Sequence, residues 1–265
     1  MVKSASNPNE ARRFNVYTDL YNINCIYLRS PWVVAWWSAA FPGFGHLSLG
    51  QFFKGSLLFV WEIVINTNAE INRAMAYSFT GRFAEAKACL NPRWLLLYIP
   101  VYLYAIWDSY RKTIALNKHY LLAENEQAPI RLFRMNGFGV NLMDKRSPQN
   151  AVAWSLLFPG LGHLYLHKIP IGFFMIVWCI VVSYYSRMVE VCYYLLAGIP
   201  GQGLALLDPE WYCFYPSMFC FAAYDAYRKA IANNIQYGKE QARHLRESYQ
   251  PRGFKLLDPE GSGGV

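Results

Sequence analysis

Two histidines sit in near-identical settings. Phe41-Pro42-Gly43-Phe44-Gly45-His46-Leu47 returns as Phe158-Pro159-Gly160-Leu161-Gly162-His163-Leu164. Imidazole titrates closest to neutrality, so a His presented by a broken helix can relay a proton or help hold an ion. A second recurring block supplies carboxylates and cations: Asp108-Ser109-Tyr110-Arg111-Lys112 and Asp225-Ala226-Tyr227-Arg228-Lys229. On a helix, an Asp can pair with a cation three or four residues on, and at the end of an apolar run it is costly unless it does. The sharper reading joins the blocks, His46 to Asp108 and His163 to Asp225, which would fix the His tautomer or form a relay. Plainer readings compete. The glycines make a compact hairpin whose His satisfies freed backbone carbonyls, and the Asp block is an interfacial anchor.

The remaining reactive residues are sparse. Glu62 lies in an apolar stretch where the other copy has Cys179, and a carboxylate at membrane depth is a functional-site hypothesis by default; pairing with Lys54 or Arg73 is the plainer account. His163 and His167 are four apart and offer one edge of a metal site. The other copy has Gly50 where His167 stands, and no third ligand is near, so no metal and no cofactor is expected. The six cysteines form no Cys-x-x-Cys pair and read as small buried hydrophobes. There is no phosphate-binding Walker loop, no Gly-x-Ser-x-Gly and no His-Glu-x-x-His. No residue is expected to be catalytic.

What must position these blocks is a tandem duplication. A shift of 117 residues aligns 30–117 with 147–234 without a gap, and 31 of the 88 positions are identical; unrelated chains would match at about one in sixteen. Each copy has three apolar stretches. Segment A covers 32–49 and 149–166 and is broken at the Pro-Gly. Segment B covers 52–66 and 169–185, and segment C covers 94–107 and 211–224.

Composition says where such segments belong. Of 265 residues, 54% are hydrophobic, 17% aromatic and only 16% charged, against roughly 25% charged in an average soluble domain. A disordered chain is excluded, and an ordinary soluble enzyme fits poorly. Mean hydropathy is only +0.09, so sizeable interfacial and aqueous parts are expected. The N-terminus has no apolar core of a cleavable signal, so insertion would come from internal segments. Of 25 Lys and Arg, 18 fall in 1–30, 111–147 and 228–255. The positive-inside rule places those stretches in the cytoplasm, with both termini, so each repeat crosses an even number of times. Segment A is the short one, expected to be re-entrant or interfacial, while B goes out and C returns. In the rival topology A and B cross and C lies on a surface.

The expected fold is an all-α integral membrane protein of the cell membrane, a duplicated helical module with about four spanning helices and two broken segments. Its parts are a cytoplasmic segment 1–29, repeat one 30–117, a cytoplasmic linker 118–146, repeat two 147–234 and a basic tail 235–265. Gly261-Ser-Gly-Gly-Val265 reads as a linker scar. Basic flanks such as Arg131, Arg134, Lys145 and Arg146 fit anionic lipid better than nucleic acid, for which no motif is present.

The Pro-Gly-x-Gly-His-Leu-x-Leu block and Ala105-Ile106-Trp107-Asp108 resemble the two-transmembrane-helix domain family, in Phe158-Pro-Gly-Leu-Gly-His-Leu-Tyr-Leu166 most plainly. The resemblance covers most of both repeats, departing in the long B–C connection and in the missing Gly at position 167. It implies a membrane module without a general activity and would make segment A a true span. Three functions follow as expectations: a non-enzymatic accessory or assembly subunit contacting lipids and a protein partner or a second copy, a channel or transporter component lined by the broken segments, and, least supported, a membrane enzyme.

Overall fold

Ser30-Pro31 and Ser147-Pro148 each open a helix: Pro pre-sets the first helical turn, and the Ser147 hydroxyl accepts the Asn150 N–H at 3.3 Å. A computed structural model describes residues 13–126, 128, 130, 132–137 and 139–250. The linker scar, its neighbour Leu256–Glu260 and Arg131 lie outside the described residues. Repeat one runs β1 (Val16–Thr18), β2 (Ile23–Cys25), α1 (Pro31–Ala40), α2 (Phe44–Ser48), α3 (Phe52–Ala69), α4 (Ile71–Phe79), α5 (Phe83–Cys89) and α6 (Pro92–Glu126). Repeat two runs β3 (Phe133–Asn136), β4 (Gly139–Leu142), α7 (Pro148–Leu157), α8 (Leu161–Tyr165), α9 (Ile169–Ser186), α10 (Met188–Leu196), α11 (Pro200–Leu206), α12 (Pro209–Tyr212) and α13 (Phe214–Tyr249). The fold is mostly helical, as the apolar patterning implies.

The two antiparallel hairpins were not expected. Val16 pairs with Cys25 and Phe133 with Leu142, so the offset of 117 runs back through stretches whose sequences have diverged. Left-handed backbone follows the same offset: Gly50 and His167, Glu70 and Arg187, Gly81 and Gly198. One clamp, the same in both copies, closes each unit. The Asn117 side chain receives the Arg29 N–H at 3.1 Å and donates to the Arg29 carbonyl at 2.8 Å. Asn234 does the same with Arg146 at 3.0 and 2.8 Å.

Segment A folds as a helical hairpin. Pro42 and Pro159 cannot continue a helix; α1 and α7 end just before them, and Gly43 and Gly160 turn the chain at φ +103° and +106°. A Cβ on either would run into the carbonyl oxygen of Gly55 or Gly172 at the start of the next long helix. Gly45 and Gly162 admit Ser38 and Ser155 of the preceding helix. The hairpin packs α1 along α6 and α7 along α13.

The main core lies between the repeats, and the copies meet head to tail. Phe41, Phe44, Phe59 and Ile63 of repeat one pack with Met175, Cys179, Phe214 and Phe221 of repeat two. Phe44 stacks on Phe221 at 4.1 Å, and Trp37 lies 5.4 and 5.1 Å from Phe221 and Tyr224. Several residues at the equivalent positions are left outside. Phe214 is 2% exposed and its counterpart Leu97 is 50%; Ile63 is 4% and its counterpart Ile180 is 55%. Tyr104 and Trp154, counterparts of Phe221 and Trp37, are likewise exposed.

By length and composition, α9 is apolar enough to cross a membrane; among the described helices it alone meets that test. Its copy α3 has the same 18 residues but carries Lys54 and Glu62.

Gly43→Ala adds a core clash, worth about 1–3 kcal/mol, to left-handed strain of about 1–2 kcal/mol. Gly81, at φ +76° with open space around it, gives the strain alone. Thermal unfolding in detergent should show Gly43→Ala losing about twice what Gly81→Ala loses; equal losses would contradict the packing assigned to Gly43.

Candidate functional site

The sharper reading of the two sequence blocks holds in both copies. α2 presents His46 to Asp108 of α6, Nε2 to Oδ2 at 3.1 Å, and α8 presents His163 to Asp225 of α13 at 2.9 Å. Both histidines have no exposed surface, and both aspartates have almost none. The histidines therefore bind carboxylates rather than freed carbonyls. The carbonyl at the end of each short helix goes elsewhere: Arg29 Nη1 takes that of Ser48, and Arg146 Nη1 that of Tyr165.

Each carboxylate also holds a lysine, and here the copies differ. Lys54, on α3, reaches Asp108 and also donates to the Tyr104 hydroxyl at 2.7 Å. Position 54 corresponds to Ile171, so repeat two uses Lys229, four residues along the same helix as Asp225. Lys229 is nearly buried and lies 3.5 Å from the Leu47 carbonyl of the other repeat. Arg111 lies 3.4 Å from Asp108, as the spacing allows. Arg228 does not mirror it: its guanidinium faces the Tyr27 ring at 5.7 Å. With a lysine fixing the carboxylate's charge, Nε2–H donates to Asp and Nδ1 is left as an acceptor. That Nδ1 is buried and unpartnered in both copies. The cluster is an electrostatic latch, buried throughout in repeat two and edged by the half-buried Lys54 in repeat one. It ties the glycine hairpin to the long helix.

Glu62 bonds the Asn66 amide at 2.8 Å and the Tyr98 hydroxyl at 3.3 Å. The expected partners are engaged elsewhere: Lys54 on Asp108, and Arg73 on Glu70 at 3.0 Å. His167 Nε2–H donates to the Leu20 carbonyl, 2.8 Å away, and no metal-holding cluster occurs among the described residues.

Comparison with protein-family models, curated proteins and solved structures returns no match.

Sequence reasoning missed three groups. Arg29 and Arg146 stand one residue outside the aligned block, and Arg146, expected to face lipid, is spent on the Tyr165 carbonyl. Lys168, buried beside Lys229's end of the bundle, has Gln51 as its counterpart. Glu210 on α12 receives the Arg73 N–H at 2.7 Å, and Asn72 donates to its carbonyl at 3.0 Å; this pins α4 of one repeat to the other. No local spacing announces a contact across 137 residues.

Two outcomes follow. Asp225→Asn leaves Lys229 buried without its counter-charge and should cost about 3–5 kcal/mol. Adding Lys229→Met should recover most of that, and a double variant as unstable as the single would contradict the latch. Burial pushes the Glu210 carboxyl up to about 7, whereas an unfolded glutamate ionises near 4.5. The resulting stabilisation is complete below pH 4.5 and lost as pH rises through 7. Melting between pH 5 and 8 should therefore show a decline that Glu210→Gln flattens; an unchanged slope would refute the assignment.

Proposed function

We propose that the chain is a non-enzymatic, multi-pass protein of the cell membrane that works as an assembly subunit, in contact with lipid and with a further copy of itself. The observation that carries this reading is the head-to-tail packing of the repeats. A heterologous contact uses two different faces, so each repeat keeps one face that its sibling has already paired. On repeat one the free face holds Leu57, Leu97, Tyr104 and Trp107; on repeat two it holds Trp154 and Ile180. These are the counterparts of residues that pack together within the chain. Lys54, which replaces Ile171 at this face, is half-buried and held by Asp108 and the Tyr104 hydroxyl. A second chain can therefore dock its repeat two on the first chain's repeat one in the manner already used internally.

Membrane placement is supported by the same surfaces. Phe53, Leu57, Leu96, Leu103, Leu157, Phe173, Val177 and Ile180 are all exposed, more apolar surface than a water-soluble monomer leaves open. α3 and α9, with 18 residues each, are about 27 Å long, close to the roughly 30 Å hydrocarbon core. In this reading α3, the apolar part of α6, α9 and α13 cross. α1 and α7, at ten residues, reach about halfway. The hairpins and the polar ends of α6 and α13, linked by Lys239 to Glu124, lie in the cytoplasm with the basic stretches, and α4–α5 and α10–α11 lie on the outer face. The buried, lysine-latched His–Asp pairs favour scaffolding over transport.

Co-expression of chains bearing Trp154→Cys with chains bearing Tyr104→Cys, in a background lacking Cys192 and Cys220, tests the assembly. A short bis-maleimide should yield a product of twice the 30.6 kDa chain only when both are present, and none with Leu196→Cys on the outer face. No mixed product, or as much from Leu196→Cys, would overturn the assembly.

A further inference from the structure

Beneath the β1–β2 hairpin, where it docks on repeat two, lies a cavity of about 200 Å³ lined by Asn24, Cys25, Arg29, Gly50, Lys168 and Lys229 among others. It has the volume of about six or seven liquid waters. Its walls hold more positive charge than the chain neutralises. Lys168 is 4% exposed and donates to the Ile23 carbonyl; among the described residues it forms no ion pair. Lys229 is committed to Asp225. Arg29 spends Nη1 on the Ser48 carbonyl and keeps a buried Nε with no acceptor. The Arg29 and Arg228 guanidinium groups both face the Tyr27 ring, at 4.1 and 5.7 Å. Three cations thus line the cavity, and Lys229 alone among them is paired with a carboxylate, Asp225.

A buried, unpaired ammonium is unfavourable, and burial together with the charge of Lys229 pulls Lys168 down to about 7. The fold itself does not require it. Repeat one builds the same turn with Gln51 in place of Lys168, and has Leu116 where Asn233 borders this cavity. The charge is therefore specific to one copy and to a space with open donors.

We propose that this cavity is a binding site for a phosphate group, held by the Lys168 ammonium, the Arg29 Nε–H and the Lys229 ammonium. The group is supplied either by an anionic lipid headgroup or as free phosphate. A phosphate fits the donor set because its several oxygens can accept from two ammonium groups and a guanidinium together. The lipid source rests on the membrane reading above; the free-phosphate source does not, and membrane insertion is measured separately.

The test is thermal unfolding of the purified full chain in an uncharged detergent, titrated with inorganic phosphate, with short-chain phosphatidic acid or with short-chain diacylglycerol. The expected result is a saturable rise in Tm with phosphatidic acid and none with diacylglycerol. Phosphate acting alone at comparable concentration identifies the free ion as source, and phosphatidic acid acting alone identifies the lipid. Lys168→Gln, which installs the residue of the other copy, should weaken the effect at least ten-fold, the shift being read from the variant's own ligand-free Tm because Lys168 also holds the Ile23 carbonyl; Lys168→Met serves as a second variant. No saturable rise in the unmodified chain, or an equal rise in both variants, would overturn the proposal.

Discussion

A carboxylate inside an apolar bundle must be neutralised, and in this chain that requirement organises each repeat. Asp108 and Asp225 sit on long helices at depths where water does not reach them. A histidine from the glycine hairpin and a lysine both bind Oδ2 of each one. Because the histidine belongs to a separate short helix, pairing it draws α2 against α6 and α8 against α13. The glycines then allow the close approach that this contact demands, with Gly45 against Ser109 of α6 and Gly162 against Ala226 of α13. Charge and steric fit specify the same geometry, a form of agreement across levels that favours one structure.

Duplication preserved the contact and changed its supply. The His–Asp pair is the same in both copies, whereas the lysine comes from α3 in one and from α13 in the other. Free of Asp225, position 171 could become Ile and join the apolar core between the repeats. That core is asymmetric: aromatic residues of α1, α2 and α3 enter between α9 and α13 of the second copy. The asymmetry leaves two related faces uncovered. It also brings the first hairpin onto the second repeat, where the His167, Lys168 and Ile169 turn meets Leu20, Ile23 and Tyr21.

Much of this is legible in the amino-acid sequence. The 117-residue offset, the helix breaks at Pro42 and Pro159, and the joining of His46 to Asp108 follow from repeated residues whose types have few uses. The hairpins escaped notice because 13–29 and 130–146 share little beyond Asn24 with Asn141 and Arg29 with Arg146, and three- or four-residue strands carry almost no periodicity. Asn136-Gly137 was the one local hairpin signal. For Glu62 the sequence offers a functional carboxylate at membrane depth or a pair with Lys54 or Arg73, yet a buried carboxyl is as well served by Asn66 and Tyr98. Contacts such as Asn72 with Glu210 depend on how the copies meet, which no single repeat encodes.

The central claim is that each repeat enters and leaves the bilayer once, with the B–C connections opposite the hairpins. Labelling of single-cysteine variants at Gly81, Gly198, Asn22 and Gly137 with a membrane-impermeant maleimide, in sealed vesicles of both orientations, measures it directly. The account predicts that Gly81→Cys and Gly198→Cys react from the outer side and Asn22→Cys and Gly137→Cys from the cytoplasmic side. Labelling of all four from the same side would contradict it.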